Sequence, residues 1–169
     1  MIRPGSGGWW AGKVRQAQRH LGARVSPAER AGLEAWVSAP QLGVFDAMHA
    51  ADRRHGLDVV AWLRSDDITD PDVLLAGLLH DAGKGDAGLP PRVLYALSQA
   101  YGDWIWRAAR ALPRMRAVME RLRDHAALSA GLAARAGCSP RTIELILRQD
   151  DPVPDDLAGQ RLHLADEAS

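Results

Sequence analysis

Three segments of this chain begin with a helix-starting device, and almost nothing in it looks like the start of a strand. SPAE at 26–29 places Ser26 as N-cap, Pro27 at the first helical position and Glu29 at the third, a capping box ahead of AGLEAWV. DPDV at 70–73 repeats the pattern with Asp70 and Pro71, and SPRT at 139–142 repeats it with Ser139 and Pro140. Amphipathic segments fall near 9–20, 41–50, 52–65, 91–111, 114–136 and 155–167, separated by Gly and Pro clusters. No run alternates apolar and polar residues with enough β-branched content to read as a strand. The expected fold is therefore all-α, a compact helical bundle.

A chain of 169 residues and 18.3 kDa is long enough for one substantial core and too short for two large ones. We expect residues 1–50 to form an N-terminal helical extension packed on a helical core spanning 51–169. Lys plus Arg is 21 and Asp plus Glu is 21, so no net basic field exists to hold nucleic acid in general. The longest apolar run, VLLAGLL at 73–79, is far short of the ~20 residues that span a bilayer. Cys138 has no partner cysteine for a disulfide or a thiolate metal cluster, so any metal must use His, carboxylate and water. A cytoplasmic location and no membrane partner are the expectation.

The stretch LLHDAGKGDAG at 78–88 carries the chemistry. It ends an apolar helical run with His80 and Asp81 side by side, two groups that are costly to bury unless a hydrogen-bond network or a metal ion satisfies them. Neighbours on a helix differ by about 100° in direction, so both can reach one ion only where the chain turns, as Gly83 and Gly85 allow. His55, in ADRRHGLDVVAWL, and Asp166, in LHLADEAS, sit on two other predicted helices. Two imidazoles and two carboxylates converging there would suit Mn, Fe, Co, Ni, Zn or Mg.

The order H, then HD, then D, with the middle pair in the form LLHDAGK, resembles the HD-domain superfamily of metal-dependent phosphohydrolases, in the manner of a small bacterial HD protein. The likeness runs from residue 51 to residue 166 through DPDVLLAGLLHDAGK and DHAALSAGLAARAGCSP. It implies an HD-domain-like helical bundle, a divalent metal held by His55, His80, Asp81 and Asp166, and hydrolysis of a phosphate ester. His125, in RLRDHAALSAG, matches the first residue with which some relatives hold a second metal. Gln149 and Asp150 stand where such relatives carry a His pair, so one tight ion is expected, with the second weak or absent. The absence of that pair, and of a GYP triplet, argues against the cyclic-dinucleotide phosphodiesterase subgroup.

On this reading Asp81 both ligates and accepts the proton of the attacking water, and Lys84 stabilises charge on the phosphate. Arg54 would do likewise with its planar fork, and His125 and Asp150 are candidates for a second metal or the substrate. The expected partner is a small phosphorylated substrate, a nucleotide first among them. A different class of protein fits the same residues, a catalytically degenerate HD module that binds metal and a nucleotide-like ligand as a sensor. His20, His49 and His163 match no signature position and are read as structural. The arginines at 107, 110, 114, 116, 121 and 123 are read as a solvated face, and DDPVPDD at 150–156 as a solvated connection. The tryptophans are read as core or as a homodimer surface, with Trp9 and Trp10 suiting either.

Overall fold

A computed structural model describes residues 24–112 and 115–169. Every regular element among them is helical: α1 Pro27–Leu33, α2 Ala39–Asp46, α3 Ala50–Ser65, α4 Pro71–Leu79, a 3-10 turn at Ala82–Lys84, α5 Leu89–Tyr101, α6 Asp103–Arg110, α7 Met115–Arg123, α8 His125–Arg135, α9 Pro140–Leu147 and α10 Leu157–Ala168. The all-α reading of the sequence holds. Trp9, Trp10, His20 and the segment at 9–20 lie outside the described residues, as does Arg114.

The three starting devices act as the sequence implies. Ser26 accepts from the Glu29 N–H while Glu29 reaches back to the Ser26 N–H, Asp70 accepts from Asp72 N–H, and Ser139 accepts from Thr142 N–H. A fourth went unread: Ser38 and Gln41 close a second capping box over α2. Each cap satisfies backbone donors that the first turn leaves open, a contribution of roughly 1 kcal/mol.

The centre of the bundle is α4. Val73 through Leu79 are all buried, with α2, α3, α9 and α10 packed around them. That explains the absence of amphipathic periodicity in VLLAGLL, because a helix covered on every side has no polar face to show. The N-terminal helices join the same core, since Leu33, Val37, Leu42, Phe45 and Met48 belong to one cluster with Leu63, Leu78, Ile146 and Leu162. Trp36 and Trp62 pack against that cluster, whereas Trp104 is exposed on α6.

Two expected long helices are each divided. The segment 91–111 breaks at Gly102, whose φ of 104° ends α5, and 114–136 breaks at Asp124, where the chain turns between α7 and α8. Both breaks matter for function. Together α5, α6 and α7 form a layer beside the 3-10 turn, and the second break sets His125 at the first position of α8.

Candidate metal centre

His80 is the C-cap of α4, where the chain leaves the helix, and the turn that follows carries Asp81 to the same side. Gly83 makes this turn possible by closeness: a Cβ there would lie 2.3 Å from the His125 carbonyl, and the Gly83 N–H donates to Ser129 Oγ at 2.7 Å. Gly85 makes it possible by conformation, with φ at 62°. Thus two different glycine properties aim the His-Asp pair at one point. From the second turn of α3 comes His55, beside Gly56, where a Cβ would meet the Leu78 carbonyl at 2.6 Å. Only glycine lets α3 approach α4 this closely, and the His55 and His80 rings stand 5.1 Å apart, edge to face. Asp166 enters from the last turn of α10.

His55, His80 and Asp81 each bring a ligand atom within 4.8 Å of the others. Asp166 joins them through Oδ1, which is 2.7 Å from His55 Nε2 and 3.2 Å from His80 Nε2. Asp166 thus touches both imidazoles, while the group whose ligand atoms all lie close to one another is His55, His80 and Asp81. His80 is 1% exposed. Its Nδ1 lies 2.9 Å from the Gly77 carbonyl, an acceptor, so Nδ1 carries the proton and donates. In a neutral ring this leaves the Nε2 lone pair facing Asp81 Oδ1 at 3.4 Å and Asp166 Oδ1 at 3.2 Å. Neither contact has hydrogen-bond geometry, despite the short approach to Asp166, and both His80 Nε2 and Asp81 Oδ1 are buried without a hydrogen-bond partner.

Acceptors that face one another at a buried position need a positive species between or upon them. Without a cation a proton serves: burial opposes charge on His80, but the Asp81 and Asp166 carboxylates outweigh it and push the imidazole up to about 9. The same field acts in reverse on the carboxylates. Burial opposes their ionisation, yet His80 and Lys84 hold Asp81, and His80 and His55 hold Asp166, well below the usual carboxylate range. Lys84 is likewise opposed by burial and raised by Asp81, Asp166 and Asp52. Its Nζ donates to Asp81 Oδ2 at 2.5 Å. One oxygen of Asp81 is thus committed to Lys84 and the other is left open.

His125 is brought to the far side of Asp81, its Nε2 3.7 Å from Oδ1. Its Nδ1 donates to the Leu122 carbonyl at 2.8 Å, and its Nε2 accepts from Gln149 Nε2 at 2.8 Å. Burial first and Lys84 second hold this imidazole below its ordinary value, in keeping with a neutral ring. Asp150 is exposed beside it. His163, taken from the sequence as structural, donates from Nδ1 to the Gln149 carbonyl at 2.9 Å, and His49 caps α3 by accepting from Ala51 N–H.

Arg54 is not brought to this cluster. Its guanidinium pairs with Glu29 at 2.5 Å and Asp58 at 2.9 Å, tying α3 to α1. The residue that sequence reasoning missed is Arg92 of α5. It forks onto the buried Asp52 at 2.7 Å and 2.6 Å and donates from Nε to the Ala87 carbonyl. Asp52 precedes His55 by one helical turn, and that spacing was the available signal. Of the basic run, Arg110 and Arg116 pair with Glu120, Arg123 pairs with Asp124, and Arg110 and Arg123 lie over the Trp106 ring.

No family model, curated protein or solved structure matches the chain. Chemically, the cluster is a set of nitrogen and oxygen donors around one point, with a buried lone pair and a buried carboxylate oxygen unsatisfied, and it fits a divalent cation.

Proposed function

We propose that the chain is a metal-dependent phosphohydrolase of the HD-domain type, acting on a small phosphorylated metabolite, a nucleotide first among the candidates. The observation that carries this reading is the pair of orphaned buried atoms, His80 Nε2 and Asp81 Oδ1, converging with His55 and Asp166. The resemblance in LLHDAGK supports it independently.

His55, His80, Asp81 and Asp166 would hold the ion. A bound divalent cation supplies Lewis acidity toward a phosphoryl oxygen and a water of lowered pKa. Asp81 Oδ1, the oxygen not held by Lys84, would accept the proton of an attacking water, and the departing ester oxygen would take its proton from solvent. Lys84 is 23% exposed, and with one N–H on Asp81 it has two more to turn toward phosphate oxygens. Arg92, paired with Asp52, links α5 to α3. We place the protein in the cytoplasm, free of membrane. Among the described residues no helix is long and apolar enough to cross a bilayer.

The sensor reading has one observation in its favour, the use of His125 and Gln149 on each other and of Arg54 on Glu29 and Asp58 rather than on a substrate. Phosphate release from a panel of nucleotides, with Mn2+, Co2+, Zn2+ or Mg2+ added to metal-depleted protein, separates the two. The enzyme reading predicts release that chelator stops and that Lys84→Ala diminishes. Metal uptake with no release from any compound would replace it with the sensor.

A further inference from the structure

Asp81 Oδ1 lies between two imidazoles, His80 Nε2 at 3.4 Å and His125 Nε2 at 3.7 Å, so an ion could in principle sit on either side of it. The two sides differ in what their lone pairs are doing. On the His80 side the imidazole nitrogen and the carboxylate oxygen lack any hydrogen-bond partner. On the other side the His125 lone pair is taken. Its Nδ1–H is fixed on the Leu122 carbonyl, so Nε2 is the acceptor, and the amide N–H of Gln149 fills it at 2.8 Å.

We infer that Gln149 is a built-in plug which closes the His125 side and makes this a one-ion centre. The inference rests on the metal reading above and assigns Gln149 a role nothing else gives it. Three further observations support it. Gln149 is 3% exposed, so its amide cannot simply swing into water. Its backbone carbonyl is held by His163 Nδ1 at 2.9 Å, which ties the segment after α9 to α10. Charge also limits the site. Asp81 and Asp166 are its two carboxylates, one oxygen of Asp81 is spent on Lys84, and the nearby Asp52 is neutralised by Arg92. Two carboxylates match one divalent ion; a second would bring two more positive charges that only the exposed Asp150, beside His125, is left to meet. The arrangement has a visible cost, because Gln149 Oε1 is itself buried without a partner. That makes the plug replaceable by a group with two acceptor oxygens.

Calorimetric titration of metal-depleted protein with Zn2+ tests this, alongside the near-isosteric Gln149→Glu variant and ¹⁵N NMR of the histidine rings in the wild type. The plug predicts one equivalent bound by the wild type, two by Gln149→Glu, and a His125 Nε2 resonance that keeps its shift through the first equivalent while His80 Nε2 moves. Two equivalents in the wild type, a His125 Nε2 that shifts with the first, or a single equivalent in a folded Gln149→Glu would overturn the plug while leaving a metal centre standing. No binding by the wild type would instead remove the metal reading on which the plug depends.

Discussion

At the scale of single residues, burial decides what each group is for. His80 and Asp52 are comparably buried and charged partners surround both, yet Asp52 is held by a two-pronged guanidinium while His80 Nε2 faces two carboxylate oxygens without hydrogen-bonding to either. A completed pair is structure; an uncompleted one marks a candidate site. Removing one member of a completed buried pair strands the other, so Asp52→Ala should cost about 3–5 kcal/mol in urea unfolding. A loss below about 1 kcal/mol would show that Arg92 finds water or another partner. The residue scale was also the most legible in the sequence, because HDAGK sets a histidine, an aspartate and a lysine together at a turn. Gln149 was legible only through the resemblance, as the residue standing where relatives carry a His, and Arg92 was not legible at all: an arginine in a run of helix formers looks like surface, and only packing brings it to Asp52.

The elements position these groups, and they do so by how closely they approach. Gly56 lets the backbone of α3 ride against the Leu78 carbonyl two residues before His80. Gly56→Ala should push α3 outward, weaken Zn2+ binding by at least tenfold and leave the helical circular dichroism in place; unchanged affinity would mean that His55 is not set by this contact. At the other end, Glu29 links the α1 capping box to Arg54 of α3. The Arg54 hydrogen bond, then the Ser26 N–H, lower its carboxyl from 4.5 to about 2. A carboxyl depressed in the fold stabilises above its ordinary value and loses that contribution as pH falls toward about 2. Wild-type stability should therefore fall between pH 5 and pH 2 more steeply than that of Glu29→Gln, and parallel curves would remove Glu29 from the account. Helix starts were readable because Ser, Asp and Pro act within a single turn. The breaks at Gly102 and Asp124 were not, since amphipathic periodicity continues across both; in the fold α5 and α6 each pack on α7, while α8 packs on the 3-10 turn and α9.

For the whole molecule, one core carries α1 through α4 and α8 through α10, and the candidate centre is set where α3, α4 and α10 meet. The site therefore reports on the fold. A ligand that binds only the folded chain stabilises it by ~2.7 kcal/mol at a hundred times its Kd, so Zn2+ or Mn2+ should raise the melting temperature by several degrees and chelator should reverse it. Equal effects on His80→Ala would mark the ions as nonspecific. The all-α class was legible throughout, because caps, prolines and the lack of alternation all agreed. Convergence of four residues from three helices was legible only through resemblance, since nothing local in LHLADEAS says that Asp166 faces His55. The most direct test of the account is the metal content of the purified protein measured beside His80→Ala and Asp166→Ala after the same loading and dialysis. The account predicts one divalent transition metal per chain, lost from both variants. A wild type that holds none after loading, or variants that hold as much, would contradict it, and a proton on His80, with Lys84 on Asp81 and His55 on Asp166, would then be what satisfies the cluster.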